Sequence, residues 1–183
     1  MKKISFIFIF LFSFSIFSQE RYLTKSGQLV FEASVPSFEE VKAENESTTA
    51  ILNTNNGEIA ALVLVKGFRF KNALMEEHFN ENYAESDLYP KATFKGTIKN
   101  FTEINFMNSK TNNAVIEGTM TFHGQSNQVF SNDALITKEE DTIILKGSFN
   151  VQASDFKVNI PKIVSNKLSN DVLITYNLEL IKK

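Results

Sequence analysis

Catalysis needs a nucleophile, a base or a metal held within reach of one another, and few residues of this sequence qualify. His78 and His123 are the two histidines, and there is no cysteine. The lack of cysteine removes thiol catalysis, thiolate metal sites and disulfides together. Neither histidine stands in an HExxH pattern. Glu76, Glu77 and Glu81 surround His78 with the ligand types of a divalent metal, but acids at adjacent and helical spacing ordinarily form a solvated face. Ser126 and Ser131 lack the Gly-x-Ser-x-Gly setting of a nucleophile elbow, and no glycine-rich phosphate loop is present. His123 precedes Gly124 at a turn and falls in the polar phase of its strand, where an imidazole serves to hold register. These residues yield no catalytic group and no metal ligand, and they point away from an enzyme.

Alternating apolar residues dominate the chain instead. The stretch 74–94 changes period halfway. From Asn72, a capping residue, Met75, Phe79 and Tyr83 recur on one helical face, with Glu76 and Glu77 in the first turns where the helix dipole favours negative charge. Pro90 holds Tyr89 out of the helical region, and beyond it Ala92, Phe94, Gly96 and Ile98 alternate with Thr93, Lys95, Thr97 and Lys99. Strands are expected at 24–35, 48–54, 58–66, 113–123, 128–137, 142–151 and 172–181, with Asn56-Gly57 and residues 123–126 as turns. The acidic run 37–47 reads as a solvated connection or short helix. Residues 59–67 are apolar in both phases, so that both faces of this strand should be covered, one of them by the helix. About eight short strands in one domain predict an all-β fold with one side helix, an antiparallel barrel or sandwich, and closure into a barrel would remove exposed edges.

Three stretches carry a resemblance. The helix followed by Tyr-Pro-x-Ala-Thr-Phe at 89–94, the segment EGTMTFHGQSNQV at 117–129, and SDFKVNIPKI with SNDVLI toward the end are similar to the YceI-like family of lipocalin-like, polyisoprenoid-binding secreted proteins. Their order and spacing cover nearly all of residues 19–183. The resemblance implies an eight-stranded lipocalin-like barrel around an elongated apolar tunnel. It also has departures: Ala153 and Lys157 stand where family members often carry arginine and glycine around the Asp155-Phe156 pair, and Tyr83 is followed by Ala84 rather than a second aromatic residue. Asp155 itself reads as a turn-capping carboxylate. A quinone, fatty amide or other lipid therefore stands beside a long polyprenyl chain as ligand.

Residues 1–18 read as a secretory signal peptide: Lys2 and Lys3, then an Ile, Leu, Phe and Ser run too short for a comfortable membrane span, then Ser18 before Gln19. Its removal takes the formal net charge from −2 to −4 and implies a periplasmic or secreted product. A mildly acidic domain with interspersed lysines is a poor partner for nucleic acid. Transient membrane contact suits such a carrier; oligomeric state is left open.

Gly96, Gly118 and Gly147 each interrupt the apolar phase of a strand. Such glycines mark bends or bulges, or leave space inside a barrel. Strand phase selects Phe31, Phe94, Ile98, Ile116, Met120, Phe122, Leu145, Phe149, Ile174, Tyr176 and Leu178 as inward residues that would line a cavity for an apolar small molecule or lipid. No cofactor is expected beyond a bound isoprenoid, quinone or other lipid. The competing expectation is a filled barrel that serves as a structural or interaction module.

Overall fold

The computed structural model describes residues 20–107 and 109–183; the leader 1–18 lies outside the described residues. Nine antiparallel strands follow in order: β1 (Arg21–Ser34), β2 (Lys42–Asn53), β3 (Glu58–Leu64), β4 (Arg69–Phe70), β5 (Lys91–Ile98), β6 (Asn112–Phe122), β7 (Gln125–Glu139), β8 (Thr142–Gln152) and β9 (Leu168–Lys182). Eight of them form the ring β1-β9-β8-β7-β6-β5-β3-β2, closed by β1 pairing with β2, and the two-residue β4 adds to β2. Among the described residues closure leaves no long unpaired edge, as an antiparallel barrel requires.

Local chemistry explains the turns. His123 and Gly124 have φ of 48° and 72°, the left-handed pair that a two-residue hairpin needs to match strand twist, and Phe122 pairs with Gln125 across it. Between β2 and β3, Gly57 takes φ 75° and its N–H donates to the Asn53 carbonyl. Asn53 and Asn56 each accept a backbone N–H two residues on.

Asn72 caps the helix α1 (Ala73–His78), its side chain accepting from Leu74 N at 3.0 Å. A π-helical turn, Phe79–Tyr83, continues it. The widened turn carries Phe79 onto Phe31, Phe68 and Phe70, with ring centroids 5.1, 6.0 and 5.3 Å away. The helix is thus placed at one end of the barrel and not on the outer face of β3. Leu64, in the outward phase of that strand, is 51% exposed, which corrects the expectation that both its faces are covered.

The acidic run also differs from its reading. Strand β2 begins at Lys42, six residues before the expected start, and only the segment before it is a connection. The alternation switches phase between Asn45 and Thr48, at a register shift against β1, and the inward members Ala43, Asn45 and Thr48 are small or polar residues that carry no hydrophobic signal. Asn45 is accommodated because its Nδ2 donates to the Leu64 carbonyl and its Oδ1 accepts from Ser47 N.

The interior divides along the barrel axis. At the end away from the helix, Tyr22, Leu52, Ile98, Ile136, Ile143, Leu145 and Leu180 pack into a dry core, each fully buried aliphatic side chain contributing roughly 1.5–3 kcal/mol. Near the helix, Val63, Val65, Phe68, Ala84 and Ala92 form a second cluster flanked by Phe31, Phe70, Phe79 and Phe122.

Candidate ligand-binding site

Two apolar chambers lie inside this frame. The outer one, about 300 Å³, is walled by Phe31, Phe68, Phe79, Phe122 and Phe156 and bounded by α1 on one side and residues 158–169 on the other. The inner one, about 90 Å³, is lined by Phe94, Ile116, Phe149, Tyr176 and Leu178 among others. Leu29, Val63, Ala92, Met120 and Ile174 line both, so the chambers adjoin at a waist and together form an elongated path. His78 and Lys167 line the outer chamber yet are exposed, which puts them at its mouth.

Nine of the eleven residues selected by strand phase line one or both chambers: Phe31 and Phe122 the outer, Phe94, Ile116, Phe149, Tyr176 and Leu178 the inner, Met120 and Ile174 both. Ile98 and Leu145 do not. They sit deeper, 3% and 0% exposed within the dry core. Period-two alternation fixes the face a side chain points to but carries no information on depth. The sequence reading missed Phe68, just before the two-residue β4, and Phe70 within it, and Phe156, Ile160 and Val164 on the segment after β8. Alternation in Phe68-Arg69-Phe70 is the one signal that pointed to them.

The three glycines do not leave space, a second correction. Gly96 faces Gly118 across β5 and β6 without a register shift, and the Phe94 ring tip covers both: a Cβ built on Gly96 would lie 2.6 Å from Phe94 Cζ, and one on Gly118 2.5 Å from it. A Cβ on Gly147 would lie 2.7 Å from Tyr176 Cζ and 3.0 Å from Ala134 Cα. The missing side chains make room for two rings of the barrel itself. Gly96 and Gly118 do not mark bulges, whereas beside Gly147 the β8–β9 ladder runs unshifted but the β7–β8 ladder ends at Leu135 and Lys146.

Polar groups in the inner chamber are few and mostly paired. Tyr176 and Ser131 hydroxyls are 2.9 Å apart, and Ser131 Oγ donates to the Ser148 carbonyl at 2.7 Å. Burial pushes the Tyr176 phenol up to about 12, because a phenolate there would lose its hydration. Thr48 lines the same chamber, its Oγ1 buried with no partner among the described residues. Nothing in this arrangement resembles an activated nucleophile. Among the described residues, no three His, Asp or Glu side chains are grouped as metal ligands. Glu76, weighed above beside His78, instead accepts from Arg69 Nη1 at 2.9 Å and Phe70 N at 3.1 Å.

His123 holds loops at the mouth end. Its Nε2 lies 2.6 Å from Glu85 Oε2, its Nδ1 3.0 Å from the Phe156 carbonyl, and Tyr89 packs edge-on at 4.7 Å. The β6–β7 hairpin is thereby fastened to the segment after the helix and to the turn after β8. The Asp155 side chain is exposed and its carbonyl, rather than its carboxylate, accepts from Asn127 Nδ2.

A closed eight-stranded barrel with one helix over its mouth and an apolar path inside is a narrow description, and residues 22–180 match the YceI-like domain. The chain belongs to the YceI-like domain family. Among solved structures it is similar to a polyisoprenoid binding domain from Saccharophagus degradans implicated in plant cell wall breakdown. That pair has TM-score 0.77 and 12% identity, with 90% of this chain and 99% of that one covered. BcnA of Burkholderia cenocepacia aligns with TM-score 0.67 and 15% identity over 85% and 96% of the two chains. The YceI protein of Campylobacter jejuni aligns with TM-score 0.58 and 18% identity over 81% and 88%. At such identities these likenesses establish the fold alone. No curated protein matches the sequence. Ala153 contributes to the outer chamber wall, and Lys157 adopts a left-handed φ of 57°.

Proposed function

We propose that this YceI-like protein is an exported, non-catalytic binding or carrier protein that holds an apolar chain, a polyisoprenoid or similar lipid, inside its barrel. The observation that carries the reading is the pair of adjoining chambers walled by aromatic and aliphatic side chains, with exposed polar groups confined to the mouth at His78 and Lys167. Such a cavity binds by hydrophobic transfer, at about 0.8 kcal/mol per buried CH₂. A few isoprene units then supply enough to cover the roughly 8 kcal/mol of a micromolar complex. The polar head of the ligand sits at the mouth. Export rests on the leader-like residues 1–18, and family membership adds support from the polyisoprenoid-binding relative. Transient membrane contact at the mouth is how the apolar chain enters.

Calorimetric titration of the mature protein with farnesol, a short-chain quinone and palmitate tests this. Saturable binding of at least one, with a negative heat-capacity change, is the expected result. No saturable binding of any of them, by a protein shown to carry no lipid already, contradicts it and favours the filled-barrel alternative.

A further inference from the structure

Two aromatic side chains of the barrel wall lie near the closed end of the inner chamber. Phe94 lies over the facing Gly96 and Gly118, and Tyr176 lies over Gly147, held by the Ser131 hydroxyl. Strand direction orders the levels. In β5, Ala92 belongs to the cluster near the helix, Phe94 to the inner chamber, and Ile98 to the dry core beyond. In β9, Ile174 lines both chambers and Tyr176 the inner one, while Leu180 is in the dry core. Beyond Phe94 and Tyr176 along the strands the inner chamber reaches only Ile59, Ile116 and Leu178, whereas Leu52, Ile136, Ile143 and Leu145 are fully buried and line neither chamber. A path that begins at His78 and Lys167 therefore closes at the level of the Phe94 and Tyr176 rings and the Ile59, Ile116 and Leu178 side chains next to them.

We propose that Phe94 and Tyr176 act as a stop that sets the length of the bound chain, so that this protein selects short apolar chains of roughly two to four isoprene units over long ones. The inference rests on the carrier reading and names the ligand class within it. Size supports it. Cavities that enclose one drug-sized molecule begin at about 300 Å³, which the outer chamber just reaches, and the inner chamber adds about 90 Å³. Glycine at 96, 118 and 147 is what allows the rings to fold down as a floor instead of standing across the waist.

The test is a series of all-trans prenyl alcohols of two, three, four and eight isoprene units, titrated against the mature protein by displacement of a fluorescent fatty-acid probe. Affinity rises about tenfold or more per added unit while the chain is being buried, then stays within twofold once the floor is reached. F94V, which removes the ring tip but keeps a strand-forming side chain, moves that break to a chain at least one unit longer. Y176L reads the same floor from the opposite wall. A wild-type series that gains affinity evenly through eight units overturns the inference while leaving the carrier reading intact; so does a break that stays in place in folded F94V and Y176L. Failure of every alcohol to displace a bound probe overturns this inference alone, and failure of the probe, the alcohols and a short-chain quinone all to bind overturns the carrier reading, and this inference with it.

Discussion

His123 Nε2 and Glu85 Oε2 lie 2.6 Å apart although 38 residues separate them in sequence. The contact joins the β6–β7 turn to the residue that ends the helical segment, while the other ring nitrogen meets the Phe156 carbonyl. The chamber mouth therefore depends on a side chain at a turn. Replacing it should cost more than a surface substitution, because both contacts go and His123 is itself at φ 48°.

The expected loss for H123A is about 2–4 kcal/mol in urea unfolding. H123N, which tolerates the left-handed backbone and keeps one polar group, should fall between H123A and the wild type. An H123A loss below about 0.5 kcal/mol, the scale of an ordinary surface change, would mean that the loops are held by something else.

Tyr176 gives stability a pH dependence with a definite sign. Its phenol is raised to about 12 in the fold by burial, whereas an unfolded tyrosine ionises near 10. The unfolded state loses its proton first, so the contribution is fully present below about pH 10 and is lost as pH rises toward 12, at most about 3 kcal/mol over that window. Denaturant titrations of wild type and Y176F between pH 9 and pH 12 isolate it: the difference between the two should shrink as pH rises. A difference independent of pH would show that the phenol is hydrated in the fold.

The glycines beneath the rings should not tolerate even a methyl group equally. At Gly118 a Cβ meets the Lys95 carbonyl at 2.5 Å and Gly96 Cα at 2.7 Å, backbone that cannot move aside. G118A should therefore lose about 2–3 kcal/mol, and F94A should fail to rescue it. The Gly147 site is blocked chiefly by the Tyr176 side chain, so G147A should be milder and should couple to Y176L in a double-mutant cycle. Thermal unfolding of the set decides the order. Leucine at either position destabilises whether or not the cavity takes a ligand.

Lys157 closes the turn after β8 at φ 57°. A left-handed conformation costs a side-chain-bearing residue about 1 kcal/mol or more. K157G should accordingly raise stability by about 0.5–1 kcal/mol after the added backbone entropy of glycine. An unchanged or lowered melting temperature would show that the Lys157 side chain has a stabilising role at the turn.

The barrel was legible wherever large residues occupy the inward phase. Strands β5, β6, β8 and β9 alternate through Phe94, Ile116, Leu145 and Ile174. It was illegible in the first half of β2, where Ala43 and Asn45 face inward among four glutamates of the same run. The site was half legible. Alternation located the wall but could not separate Phe94 at the cavity from Ile98 in the core, four residues further along the same face. A glycine in the inward phase reads alike whether it borders a void or a neighbour's ring. Only the positions of Phe94 and Tyr176 distinguish the two. Residues 158–169, which bound the mouth without belonging to a strand until Leu168, offer no period to read.

The central claim, that the barrel holds an apolar chain, is tested most directly by native mass spectrometry of the mature protein purified without detergent from its own cells, followed by solvent extraction. One short-chain lipid per protein, released by the solvent and rebound by the stripped barrel, is the predicted result. A protein that carries no adduct and takes up no prenyl, quinone or fatty-acyl compound after purification would contradict it.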